Sequence, residues 1–168
     1  YLEIGCLFGF SMVNATRSKT PGKFVGIDLF ESTGKITMND YTSDVVDRDL
    51  SLAKTTKLVK QCNIHNHDIS FIQGNSQWSS VQRKILSIAP TGFDMVFIDG
   101  DHSFEGTYGD FSLYGPSLRP GGYMLFDDQD YPEIARVIVK IKNEHSKHYE
   151  WVPWEGYAPK FRGFFKKC

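Results

Sequence analysis

Tyr1-Leu2-Glu3-Ile4-Gly5-Cys6-Leu7-Phe8-Gly9-Phe10-Ser11, followed by Val25-Gly26-Ile27-Asp28-Leu29, is the stretch on which the fold turns. A short apolar strand runs into a glycine loop and a helix start. A lone carboxylate, Asp28, closes the next strand about 20 residues on. That order is how a doubly wound α/β fold holds an adenosine. The glycine spacing narrows the ligand. A dinucleotide site uses Gly-x-Gly-x-x-Gly so that the backbone can approach a pyrophosphate. Here Cys6, Leu7 and Phe8 separate Gly5 from Gly9, and that device is missing. Glu3 beside the loop would repel a phosphate and attract a cationic ligand. S-adenosylmethionine carries a sulfonium and an amino group, and Asp28 stands where it can accept from both ribose hydroxyls.

Two later segments extend the pattern: Phe93-Asp94-Met95-Val96-Phe97-Ile98-Asp99-Gly100-Asp101-His102 and Leu118-Arg119-Pro120-Gly121-Gly122-Tyr123-Met124-Leu125-Phe126-Asp127-Asp128. With Glu3-x-Gly5-x-x-x-Gly9-x-Ser11 and Gly26-Ile27-Asp28, they make four motifs in order. On these residues the chain resembles the class I S-adenosylmethionine-dependent methyltransferases, and within them the metal-dependent sugar O-methyltransferase branch. The resemblance implies a Rossmann-like, doubly wound α/β fold. Its mainly parallel seven-stranded sheet would have the order 3-2-1-4-5-7-6, helices on both faces and a C-terminal antiparallel hairpin. It also implies S-adenosylmethionine bound by Glu3, Gly5, Gly9, Ser11, Asp28, Leu29, Asn75, Ser76 and Asp99.

The chemistry is expected beyond the ends of the fourth and fifth strands, because ligands in open α/β sheets bind at the carboxyl ends of strands. Asp99 ends one, and Asp127 with Asp128 ends the other. If the strands are neighbours, three carboxylates converge, and an oxygen-only donor set suits Mg²⁺ or another hard divalent cation. Such an ion would lower the pKa of an acceptor hydroxyl. His102 has the ordinary chemistry of a general base. The resemblance implies a metal-binding aspartate followed three positions later by a catalytic histidine, the spacing of Asp99 and His102. It also implies an acidic pair that often reads Glu-Asp, where this chain has Asp127-Asp128. Structural roles stand beside these: Asp99 or Asp101 as the N-cap of a helix beginning near Ser103, His102 bonded to backbone at that helix start, and Asp127 to Asp130 as a solvated turn.

Composition bounds the rest. At 168 residues the chain is long enough for one domain, read as a single methyltransferase unit trimmed at its N-terminus. A net charge of −1 offers no basic footprint for nucleic acid. The cysteines Cys6, Cys62 and Cys168 form no CxxC pair and fit a reducing, cytoplasmic compartment. No apolar run reaches the length of a membrane span. The expected partner is a small-molecule acceptor, with no nucleic acid and no membrane, and a homo-oligomer is compatible with all of this.

Strands are expected at Tyr1 to Ile4, Phe24 to Ile27, Ile69 to Gln73, Asp94 to Ile98 and Tyr123 to Phe126. Helical periodicity follows Ser11, weakly spans Asp47 to Cys62, and covers Ser79 to Ile88. It recurs from Phe104 through Leu118, where Gly106 and Gly109 count against it, and after Pro132. Tyr149 to Trp154 and Phe161 to Lys166 read as a hairpin about a turn at Gly156 to Pro159. Glu31 to Asp44 reads as a loop near the cofactor. The favoured function is methyl transfer from S-adenosylmethionine to a hydroxyl of a small molecule, a sugar or glycosylated compound, with a divalent metal. The alternatives are a metal-independent N- or C-methyltransferase and a non-catalytic cofactor-binding module of the same fold.

Overall fold

Apolar runs too short for helices and too continuous for a half-exposed sheet form the centre of the molecule. In the computed structural model, which describes residues 1–30, 51–154 and 162–168, they are β1 (Leu2–Ile4), β2 (Lys23–Asp28), β3 (Asp68–Gln73), β4 (Phe93–Ile98) and β5 (Leu118–Phe126). The hairpin strands are β6 (Tyr149–Pro153) and β7 (Gly163–Lys167). Together they make one sheet of order β3-β2-β1-β4-β5-β7-β6, parallel from β3 to β5 and antiparallel where β7 enters between β5 and β6. This is the sheet order implied by the resemblance. The order reverses between β1 and β4, and a crevice opens above such a reversal because the crossovers leave in opposite directions.

The helices are α1 (Phe10–Ala15), α2 (Leu52–Cys62), α3 (Ser79–Ile88), α4 (Phe104–Tyr114) and α5 (Pro132–Glu144). Pro132 starts α5, where its missing N–H costs nothing, and Ile134, Val137, Ile138 and Ile141 turn inward. Val81 and Ile85 do the same for α3. These side chains join Leu2, Ile4, Val25, Val96, Met124 and Phe126 in the larger core. A smaller one, of Cys6, Met12, Phe24, Phe30 and Val59, lies beneath α1 and α2. Among the described residues, no helix is long and apolar enough to cross a membrane.

Two sequence expectations are refined. Strand β5 begins at Leu118 rather than Tyr123, since Leu118 pairs with Phe93 before the register shifts across the Pro-Gly-Gly segment and resumes at Met95 with Tyr123. Helix α4 forms despite Gly106 and Gly109, because both are places of close approach. A Cβ on Gly106 would lie 2.4 Å from the Asp101 side chain, and one on Gly109 would lie 2.8 Å from Gln77. The helix stops at Tyr114, and a 3₁₀ turn over Gly115–Ser117 leads into β5. The expected loop at Glu31 to Asp44 and the hairpin turn at Gly156 to Pro159 lie outside the described residues.

Gln129 binds the hairpin to the sheet. It is 1% exposed. Its amide nitrogen donates to the carbonyls of Phe126 (2.9 Å) and Gly163 (2.8 Å), and its oxygen accepts from the N–H groups of Arg162 (2.8 Å) and Gly163 (3.1 Å). All of its donor and acceptor capacity is used where no water reaches. Gln129→Leu would strand four backbone groups at once, so a loss of about 3 kcal/mol is expected from the urea midpoint. A loss below about 0.5 kcal/mol, as for an ordinary surface change, would contradict the role.

Candidate active site

Strand register builds the site. Ile4 pairs with both Ile27 and Ile98, and Ile98 pairs with Phe126. The next residue on each strand, Gly5, Asp28, Asp99 and Asp127, therefore falls in one row along the C-terminal edge of the sheet. Ladder hydrogen bonds continue into it: Gly5 N–H to Ile27 O (2.8 Å), Asp99 N–H to Ile4 O (2.8 Å) and Asp127 N–H to Ile98 O (3.0 Å). Gly5 has φ +86°, and a Cβ there would lie 1.9 Å from the Asp99 carbonyl oxygen. Only glycine lets these two strand ends meet.

The glycine loop is held from three sides. Its Leu7 N–H donates to Asp28 Oδ2 (2.8 Å), and Phe30 N–H donates to Asp28 Oδ1 (2.8 Å). Two fixed donors orient the carboxylate and leave outward lone pairs for a diol. From α2, Thr55 Oγ1 donates to the Leu7 carbonyl (2.9 Å). Val59 packs where a Cβ on Gly9, the N-cap of α1, would sit 2.6 Å from it. Thr55 and Val59 escaped the sequence reading because the helix pattern there is weak. Leu29 is exposed at the lip. Among the described residues, three of the four non-glycine residues with positive φ, Leu7, Phe30 and Asp128, lie on this edge. Strain of that kind collects at functional sites.

Glu3 and Ser11 are placed beneath the loop. Glu3 is fully buried. Its Oε1 accepts from Ser11 Oγ (2.6 Å) and its Oε2 from Tyr1 Oη (2.6 Å), while burial pushes its carboxyl up to about 7. The carboxylate expected to meet a cationic ligand thus has a protein donor on each oxygen, and it buttresses the loop from inside. At the end of β3, Asn75 is exposed and accepts from Gln77 N–H (2.8 Å), whereas Ser76 is half-buried and donates to Asp110.

Asp99, His102, Asp127 and Asp128 come together between β4 and β5. His102 Nε2 lies 3.3 Å from Asp99 Oδ1, and its Nδ1 lies 3.8 Å from Asp128 Oδ2. The bond to Asp99 raises the imidazole above its ordinary value, against the opposing effect of burial. Burial raises the Asp99 carboxyl, the His102 bond lowers it, and the charges of Asp127 and Asp128 raise it again. When it carries a proton the ring offsets the charge of the acidic cluster, and when neutral it can take one. The helix-cap alternatives resolve elsewhere: Ser103 is the N-cap of α4, accepting from Gly106 N–H (3.0 Å), and Asp101 accepts from Ser103 N–H (2.9 Å). Asp130 is exposed. The donor chemistry of Asp99, Asp127 and Asp128, three carboxylates at adjoining strand ends, fits a hard cation. Among the described residues, no group of three or more His, Cys, Asp or Glu side chains is already arranged to hold one.

Size does not mark the chemistry. A groove of about 1020 Å³ lies around the starts of β1, β2 and β4, lined by Tyr1, Lys23, Asp94 and Arg119 among others, and Ser11 alone of the candidate residues borders it. Ligands of this architecture bind at the opposite strand ends.

Comparison with known proteins agrees with the fold. Residues 2–129 match the methyltransferase domain family. An uncharacterized protein of Acanthamoeba polyphaga mimivirus is 32% identical over 145 residues, which is 84% of this chain. The chain spans only 58% of that relative's length. The calicheamicin methyltransferase CalS11 has a similar structure, with a TM-score of 0.66, 17% identity, and 99% of this chain and 70% of that one covered. So does the MycE methyltransferase of the mycinamycin biosynthetic pathway, solved in complex with Mg and SAH, with a TM-score of 0.61, 18% identity and 99% and 44% covered.

Buried Glu3 leaves a pH signature. The unfolded chain loses this proton near 4.5 and the folded chain near 7, so over that interval the folded state holds a proton that the unfolded state has lost. Stability from this group is full below about 4.5, declines as pH rises to about 7, and is then flat, a span of about 3 kcal/mol. Glu3→Gln should abolish this component. Urea titrations are expected to show the variant gaining on the wild type by about 2 to 3 kcal/mol between pH 5 and pH 8. A constant difference would contradict the assignment.

Proposed function

Since this chain belongs to the methyltransferase domain family, we propose that it moves the methyl group of S-adenosylmethionine to a hydroxyl of a small molecule, a sugar or glycosylated compound. The observation that carries this reading is the row of Gly5, Asp28, Asp99 and Asp127 at the sheet edge. It sets the strand-end crevice expected of this sheet order beside a cluster able to take a proton. Asp28 would accept from the ribose hydroxyls. The loop from Gly5 to Gly9 would lie under the amino-acid end, and Leu29, Asn75 and Ser76 would border the nucleoside. Glu3 and Ser11 would act through the loop they support, and Asp99 would face the charged end of the cofactor.

In the transfer, an acceptor oxygen attacks the methyl carbon, the carbon–sulfur bond breaks, and S-adenosylhomocysteine leaves. The acceptor's proton passes to the His102 imidazole, whose affinity for it is strengthened by Asp99. Holding the oxygen in line with the methyl group is the larger part of such catalysis. A hard divalent cation such as Mg²⁺, held by Asp99, Asp127 and Asp128, would polarise the acceptor oxygen as a Lewis acid. A metal-independent transfer to nitrogen or carbon is the second reading. Its support is the position of His102, with a ring nitrogen 3.3 Å from Asp99 and the other 3.8 Å from Asp128. With a net charge of −1, a nucleic-acid acceptor is not proposed.

Transfer of labelled methyl from S-adenosylmethionine to a panel of hydroxyl-bearing small molecules tests this reading. His102→Ala should lower the rate about 100-fold or more while S-adenosylhomocysteine binds as before. A rate within twofold of wild type would remove His102 as the base. EDTA should stop transfer and Mg²⁺ restore it; turnover indifferent to EDTA would favour the second reading. For the cofactor, Asp28→Ala should weaken S-adenosylhomocysteine binding about tenfold or more by calorimetry. Unchanged affinity would refute the ribose role.

A further inference from the structure

Helix α4 carries a buried carboxylate that the chemistry above does not use. Asp110 is 1% exposed, and burial raises its carboxyl to about 6. A carboxylate is an expensive filling for a core position, where an apolar side chain would serve the fold at less cost. Its surroundings explain what it does there. Ser76 Oγ donates to Asp110 Oδ1 at 2.6 Å. One turn further along the same face of α4, fully buried Tyr114 donates its hydroxyl to the Ser76 carbonyl. Gln77 Nε2 donates to the Gly106 carbonyl (3.1 Å), lying against Gly109, where no side chain intervenes. Helix α4 thus grips two consecutive residues of the loop after β3 through three hydrogen bonds.

The other Asp110 oxygen faces the end of β4. A Cβ built on Gly100 would lie 3.4 Å from Asp110 Oδ2, so the carboxylate packs against the backbone just beyond Asp99. Asp110 therefore stands between the loop that would border the nucleoside and the strand end that bears the reactive cluster. The helix itself starts at Phe104, two residues after His102. A side chain serving only the core would need neither neighbour.

We propose that Asp110 is a positioning residue for cofactor binding, holding Ser76, with Tyr114, so that the loop after β3 is set in its nucleoside-binding form before the ligand arrives. This assignment rests on the cofactor reading above. Preorganisation of this kind raises affinity by removing the cost of ordering the loop on binding.

Calorimetric titration with S-adenosylhomocysteine tests the proposal. Asp110→Ala should weaken binding about tenfold, while Asp110→Asn, which keeps an oxygen acceptor for Ser76, should stay within about threefold of wild type. Ser76→Ala should weaken binding comparably, and the Asp110→Ala, Ser76→Ala double variant should bind no worse than the weaker single variant, since both remove one bond. A purely structural role would lower thermal stability without this rescue and without this non-additivity. If Asp110→Ala lacks a cooperative thermal transition, Ser76→Ala removes the same bond from the loop side and carries the test. Wild-type affinity in folded Asp110→Ala, or additive losses in the double variant, would overturn the assignment while leaving the cofactor reading intact. Absence of binding by the wild type would overturn both.

Discussion

The meeting of Gly5 with the Asp99 carbonyl is the contact on which the rest depends. Any side chain at position 5 would overlap that oxygen at 1.9 Å, so the ends of β1 and β4 could not lie level. Once they do, the parallel register carries the alignment outward in both directions, to Asp28 on one side and to Asp127 on the other. The sheet changes direction at this junction, so the crevice and the carboxylates occupy one place. A backbone clearance at a single residue thereby decides where charge collects.

Polar side chains then hold the loops around that place. Glu3 ties α1 to β1 from beneath, Asp28 clasps the glycine loop, Asp110 grips the loop after β3, and Gln129 fastens the hairpin beside β5. Glu3, Asp110 and Gln129 are costly to bury and satisfied where they sit, which holds the loops without adding apolar bulk to the crevice. The strained backbone at Leu7 and Phe30 is sustained by the bonds to Asp28. His102 completes the set. Its ring lies between carboxylates that would otherwise repel each other.

The strands and the row of strand-end residues were legible in the sequence because they depend on local signals: apolar runs, a glycine turn and acids that follow them. The start of β5 was not, since the Pro-Gly-Gly segment interrupts the apolar run and the strand reaches back across it only through the pairing of Leu118 with Phe93 on β4. The same limit applies to Gln129, whose bonds reach Gly163, 34 residues away, and which reads as one more polar residue in an acidic stretch. Asp110 looks like an ordinary solvated position on a helix. Its burial follows from α4 packing beside the loop after β3, a contact without local trace. Glu3 reads from the sequence as attracting a cationic ligand, whereas its bond from Ser11 depends on α1 folding against β1. Motif spacing locates a site, whereas the partners that stiffen it belong to the tertiary structure.

A crystal structure of the chain grown with S-adenosylhomocysteine addresses the central claim most directly. The account predicts the ribose against Asp28, the base beside Asn75 and Ser76, and the sulfur between the Gly5 turn and the cluster of Asp99 and His102. A ligand seated instead in the groove bordered by Lys23, Asp94 and Arg119, or a sulfur remote from His102, would contradict it.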